Sequence, residues 1–123
     1  MIDAFFLAAV LALKNTRLPE VSMKGDDIMV SNTKSNYVNV HHLPICTTFY
    51  FIPKVDQPIV DASAKEERLA TSRLSICTNM FEDVCGMQTL GQMDLDPMKL
   101  LECTRESLVI TKTTTKIIRQ AWE

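Results

Sequence analysis

From Leu69 to Thr78 the chain reads L-A-T-S-R-L-S-I-C-T, and its side chains alternate with a period of two. That period fits a strand with two distinct faces and not a helix. Leu69, Thr71, Arg73, Ser75 and Cys77 share one face, and Ala70, Ser72, Leu74, Ile76 and Thr78 share the other. The second face is the more apolar over its last half, so Leu74 and Ile76 are the expected core residues. A short extended piece ending at Asp61 and a charged turn precede this strand, and the stretch Val60 to Asn79 organises the rest.

A second strand is expected over Ile45 to Ile52, I-C-T-T-F-Y-F-I, which is rich in β-branched and aromatic residues. Pro53 to Gln57 reads as a turn. Asn79 to Asp83 closes a hairpin onto Val84 to Leu90. Upstream, Val21 to Lys24 and Ile28 to Val30 form two short strands around Gly25-Asp26-Asp27. Ser31 to Asn36 is polar and without period, the mark of an exposed loop. Tyr37 to Val40 alternates as a further strand, and His41-His42-Leu43-Pro44 is a connector.

Ile2 to Lys14 reads as a helix that is apolar all the way round, the pattern of one buried on every side. It is too short to span a bilayer, which takes roughly 20 residues. It carries Asp3 where a secretory leader would be basic, and no small-x-small cleavage site follows. Such a helix needs cover on both flanks, and the chain offers little before it. The expectation is a piece of a larger domain, or a surface completed from elsewhere. At the other end, Asp94-Leu95-Asp96-Pro97 starts a helix, with Asp96 as cap and Pro97 in the first position, running to about Trp122. Leu100, Thr104, Ser107, Thr111, Thr114, Ile118 and Ala121 form its inward stripe. Helix, antiparallel strands, then helix make an α+β class.

At 123 residues the chain is one domain or part of one. Thirteen basic against fifteen acidic residues give a net charge of −2, which argues against an acidic tail or a strongly basic nucleic-acid binder and leaves only local patches. Cys46, Cys77, Cys85 and Cys103 contain no C-x-x-C pattern, so they are expected as reduced, packed thiols. His41, His42 and Cys46 are poor metal ligands together, because adjacent residues of an extended segment point to opposite faces. Asp61, Glu66 and Glu67 read as a solvated turn with Lys65 and Arg68 rather than an acid–base or metal cluster. Gly25, Gly86 and Gly91 are too scattered for a phosphate loop. On the last helix Arg105, Lys112, Lys116 and Arg119 cluster on one side, diluted by Glu102 and Glu106. A solvated face is the plainer reading there, and contact with RNA phosphates or an acidic neighbour is the functional one.

Several segments together resemble one family, the RNase PH-like subunits of the RNA exosome ring. They are I-D-A-F-F-L-A-A-V-L-A-L-K-N-T-R-L-P-E-V, H-H-L-P-I-C-T-T-F-Y-F, I-V-D-A-S-A-K-E-E-R, L-L-E-C-T-R and I-I-R-Q-A-W-E, collinear over nearly the whole chain. Within the family they look most like the polymyositis–scleroderma autoantigen type. The resemblance implies an RNase PH-like fold of ribosomal-S5-like units, incomplete at the N-terminus. Residues 1–42 would end a first subdomain, and residues 43–123 would form the C-terminal subdomain. It implies other ring subunits and RNA in the assembled ring as partners, no membrane, and a place in the nucleus, nucleolus included, and the cytoplasm. The isolated fragment is expected to self-associate, since Phe5, Phe6 and Leu7 lack a complete core.

Active members of the family place an aspartate in a strand reading Asp-Leu-Asn-Val-Val-Met. Arg73 stands at that position here, and Glu67 at a second family carboxylate. A guanidinium neither passes a proton near neutral pH nor holds Mg²⁺. The resemblance therefore implies a subunit with no catalytic residues, no metal and no cofactor. Arg73 is expected to pair with a carboxylate such as Glu67 or with an RNA phosphate. The competing expectation is an active phosphate-dependent 3′-to-5′ exoribonuclease.

Overall fold

The computed structural model describes residues 1–92 and 96–122. Its elements follow in order: α1 (Ile2–Asn15), β1 (Arg17–Lys24), β2 (Asp27–Tyr37), β3 (Ile45–Phe51), β4 (Ile59–Val60), α2 (Ala64–Leu69), β5 (Ser72–Thr78), β6 (Val84–Gly91) and α3 (Pro97–Trp122). β4, β3, β5 and β6 make an antiparallel sheet in that spatial order, while β1 and β2 pair only with each other.

The sheet is built on β3 and β5, the two strands that alternation and β-branching pick out. They pair in register from Ile45 opposite Thr78 to Phe51 opposite Ser72. Phe49, Leu74 and Ile76 are fully buried and meet Cys103 of α3 in the core, with Leu100 and Val60 at its margin. Burial of these side chains stabilises the fold by about 1.5–3 kcal/mol each.

α3 packs on the Phe49 face through a line of small side chains. Cys103, Ser107, Thr111, Thr115 and Ile118 are buried. The line is shifted from the expected stripe: Thr104 and Thr114 are only half-buried and Ala121 is exposed. Thr78 of β5 meets the Thr111 hydroxyl at 2.7 Å and the Ser107 hydroxyl at 3.2 Å, all three side chains being fully buried. Small hydroxylated residues let the helix lie close to the sheet, and the mutual hydrogen bonds of Thr78, Ser107 and Thr111 offset the cost of burying them, whereas the buried Thr115 hydroxyl finds no partner among the described residues. The start of α3 is as expected, with the Met98 N–H donating to the Asp96 carboxylate at 3.1 Å and Pro97 as the first residue. Asp94 and Leu95 lie outside the described residues.

α1 packs on the opposite side of β3 and closes its open edge. β4 pairs only with Phe49 and Tyr50, so the Thr48 N–H has no strand partner there. Asp3 takes it at 3.1 Å and accepts the Thr48 hydroxyl at 2.6 Å. With that proton committed, the Ser75 hydroxyl donates to Thr48 at 2.9 Å. Asp3 is thus the residue that pins α1 to the sheet.

Five local expectations are corrected. α1 is not buried on every side: Val10 alone is buried, and Phe5 is 72% exposed. Only one flank of this helix meets the sheet. The polar run Ser31 to Asn36 is strand, because β2 continues to Tyr37 with a bulged register against β1. No strand covers Tyr37 to Val40; Tyr37 closes the hairpin opposite Arg17, and Val38 donates to Thr16 at 3.1 Å. The charged turn is a helix, α2, begun by a capping box in which Ser63 and Glu66 satisfy each other's backbone N–H groups. That helix absorbs Leu69, so β5 starts at Ser72.

Phe49→Ala is expected to lower stability by about 3–5 kcal/mol, read as a lower urea midpoint at unchanged slope. Alkylation under native conditions should modify the exposed Cys85 before Cys77, and reach the buried Cys46 and Cys103 only in denaturant. Peptide mass spectrometry over time checks the order, and equal rates at Cys85 and Cys103 would contradict this packing.

Candidate functional site

The β3–β5–β6 register sets Tyr50, Arg73 and Leu90 side by side across three strands, on the face away from α3. They line a cavity of about 300 Å³ together with Glu67 and Arg68 of α2 and Gly91 at the end of β6. The two positions that the family resemblance singled out, Glu67 and Arg73, therefore open on one space. Gly91 is needed there: its φ is +91°, and a Cβ would lie 2.3 Å from the Thr71 carbonyl oxygen.

Within the cavity the charges do not pair as expected. The Tyr50 hydroxyl donates to Glu67 Oε1. Burial, then this hydrogen bond and the adjacent negative charge, push the Tyr50 phenol up to about 12. The Arg73 guanidinium acts in the opposite direction, which shows that its charge is felt at the same hydroxyl. Among the described residues no carboxylate forms an ion pair with Arg73, so the expected Arg73–Glu67 pair is absent. Arg73 is half-buried and faces the cavity with its charge unneutralised.

The carboxylates Asp61, Glu66 and Glu67 separate. Glu66 accepts from the Ser63 N–H at 2.7 Å and the Ser63 hydroxyl at 2.6 Å, and these bonds hold its carboxyl below the usual range. Glu67 serves Tyr50. Asp61, with a left-handed φ of 55°, opens on a different cavity beside Asp3. Among the described residues no three metal-ligating side chains converge. The residues around Arg73 do not fit a divalent ion, because a fixed cation stands among them and only Glu67 of the lining carries a carboxylate.

The basic residues of α3 lie elsewhere. Arg105, Lys112, Lys116 and Arg119 are all exposed. Lys112 pairs with Glu82, and Arg119 reaches the Met80 sulfur, so two of them fasten the β5–β6 turn to the helix. His41 and His42 are exposed and Cys46 is buried; His42 stands edge-on to Phe81 instead, with ring centroids 5.5 Å apart.

Tyr50 is the residue that reading the sequence missed. Its place in the strand Ile45 to Ile52 was legible, but its position opposite Arg73 and beside Glu67 follows from strand pairing. The alternation that set Phe49 inward was the available signal, since it leaves Tyr50 on the other face.

Because the Tyr50 phenol ionises less readily in the folded chain than at its ordinary value of 10, its contribution to stability is full below about pH 10 and falls as pH rises towards 12. Tyr50→Phe should flatten that alkaline loss. Denaturation midpoints between pH 9 and 12 check it, with identical profiles for the two proteins as the contrary result.

Comparison with known proteins matches residues 42–109 to the 3′ exoribonuclease family, domain 2. Exosome complex component rrp45 of Schizosaccharomyces pombe is 30% identical over 98% of this chain and 43% of its own length. Exosome complex component RRP45 of Homo sapiens is 31% identical over 100% of this chain and 29% of its own. The chain thus spans less than half the length of these relatives. An Archaeoglobus fulgidus exosome with RNA bound to the active site superposes with a TM-score of 0.73 at 23% identity, covering 99% of this chain and 43% of that one. An archaeal exosome core gives 0.75 at 24% identity, covering 96% and 44%. These two matches carry the fold, RNase PH-like and α+β. Sequence match and architecture agree, and the chain belongs to the 3′ exoribonuclease family through that family's second domain.

Proposed function

We propose that this chain forms the second-domain portion of a non-catalytic subunit of the RNA exosome ring, which helps assemble the ring and guide RNA through it for 3′-to-5′ processing and degradation. Residues 1–42 end the first subdomain in this reading and residues 43–123 make up the C-terminal one. The observation that carries the loss of catalysis is the pair of charges in the cavity. By the resemblance Arg73 stands where an active relative needs an acid, and Glu67, the remaining carboxylate of the cavity, already accepts the hydrogen bond of the Tyr50 hydroxyl. General acid–base work needs a group whose proton moves near neutral pH, and a guanidinium has none to give.

The structural part of the proposal rests on surface. No residue of β1 or β2 is buried. Val21, Met23, Ile28 and Val30 pair across the hairpin and are each more than half exposed. Phe5 of α1 and Leu90 of β6 are likewise open. An isolated two-stranded hairpin is marginal in water, so these surfaces favour a chain covered by further protein, the other RNase PH-like ring subunits in this reading. Its cavity cation, and Arg105, Lys112, Lys116 and Arg119 of α3, are the candidate contacts for RNA or for a neighbouring subunit. The nucleus, nucleolus and cytoplasm are the compartments where such a ring works.

Reconstitution of the full-length protein with the other ring subunits is the test. It should co-elute with the ring and release no nucleoside diphosphate from RNA in the presence of phosphate. Phosphate-dependent release that disappears in Glu67→Gln would establish an enzyme instead, and exclusion from the ring would remove the structural role.

A further inference from the structure

At the end of the sheet opposite the Tyr50 cavity, where β3 begins and β5 ends, a second cleft of about 240 Å³ opens. His41 and His42 of the connector line one side, and Met80 and Phe81 of the β5–β6 turn another. Lys14 near the end of α1 and Arg119 near the end of α3 complete it. No carboxylate lines this cleft among the described residues. The acids of the adjacent turn are already committed, Glu82 to Lys112 and Asp83 to the Asn79 side-chain amide at 3.0 Å.

The aromatic side chain is held ready. Asn79 Oδ1 accepts the backbone N–H groups of Phe81 at 2.9 Å and Asp83 at 3.0 Å, which fixes the turn. His42 meets the Phe81 ring edge-on at an interplanar angle of 89°, yet Phe81 is still 59% exposed. Arg119 is braced against the Met80 sulfur beside it. The ring therefore stays accessible to a ligand beside the cations that line the cleft. Two helices end here, and their C-terminal carbonyls offset part of the positive charge. Attraction for a simple anion is therefore modest, and a ligand must use the ring as well.

We propose that this cleft holds one nucleotide of a single-stranded RNA, with the base stacked on Phe81 and the adjoining phosphate met by Arg119. A ligand of flat π-face plus phosphate is what an exposed aromatic among cations recognises without regard to sequence. The volume is below the roughly 300–1,000 Å³ of sites that enclose a small molecule, so the cleft takes one unit of a strand that continues outside it. Lys116 lies one turn back from Arg119 on the same stripe and extends the path. The choice of RNA rests on the exosome reading above; the chemistry of base and phosphate rests on the cleft alone.

Fluorescence anisotropy of a labelled 12-nucleotide oligoadenylate with the full chain, alone and in the reconstituted ring, tests this. Phe81→Ala should weaken binding by roughly 5- to 100-fold, and Phe81→Trp should keep it. Arg119→Gln should weaken binding and reduce the slope of log affinity against log salt by about 0.7. Lys65→Gln on α2, outside the cleft, should change neither. Photo-crosslinking should place the oligonucleotide on the peptide that contains Phe81. Unaltered affinity in Phe81→Ala overturns the proposal, and so does equal competition by heparin or by an acidic peptide. Entry into the ring with a silent Phe81→Ala defeats this cleft and spares the subunit reading. Exclusion from the ring with RNA binding still lost in Phe81→Ala does the reverse.

Discussion

Seven consecutive residue pairs join β3 to β5, and that ladder places both the core and the Tyr50 cavity. Phe49 faces Leu74 on one side of the sheet, and Tyr50 faces Arg73 on the other. The first pair is the centre of the core, and the second is the centre of the candidate site. Because successive side chains of a strand point to opposite faces, the two are coupled. A slip of one residue would expose Phe49 and bury Arg73 against α3, where nothing would neutralise it. The hydrophobic demand of Phe49, Leu74 and Ile76 therefore fixes the cavity's charges as firmly as it fixes the core.

Opposite charges near each other ordinarily pair, yet Glu67 and Arg73 share a cavity without doing so. The hydroxyl of Tyr50 lies in the position that satisfies Glu67, and the bond also ties α2 to the sheet. Arg73 is left as a fixed cation looking into the cavity. The cavity is thus set, by one fixed cation and one hydrogen bond, towards holding an anion. That arrangement is local. The capping box of α2, the hydroxyl cluster under α3 and the Asp3 clasp on β3 are independent of it.

The uneven distribution of burial has a single cause. Apolar residues of β3, β5 and α3 close on one another, while those of α1, the β1–β2 hairpin and β6 have one flank or none to pack against.

Much of this architecture was legible in the residues. Alternation identified β5, β-branched and aromatic content identified β3, and Asp96-Pro97 marked the start of α3, each because the signal lies within a few residues of itself. The capping box of α2 was missed because the run Asp61 to Arg68 was read by its charge, although Ser63 and Glu66 have the capping spacing. β2 was underestimated because a strand in a free hairpin has no buried face and so no apolar alternation. Partners were illegible in principle. That Glu67 meets Tyr50 rather than Arg73, and that Phe81 stands with His42 and Arg119, depends on pairing between segments 17 to 39 residues apart. The chain by itself determined the strands β3 and β5, the start of α3 and which face of β5 turns inward, since periodicity is a property of one segment. Only the tertiary structure decided which charge meets which hydroxyl, because that is set by the register between strands, and no strand carries its register alone.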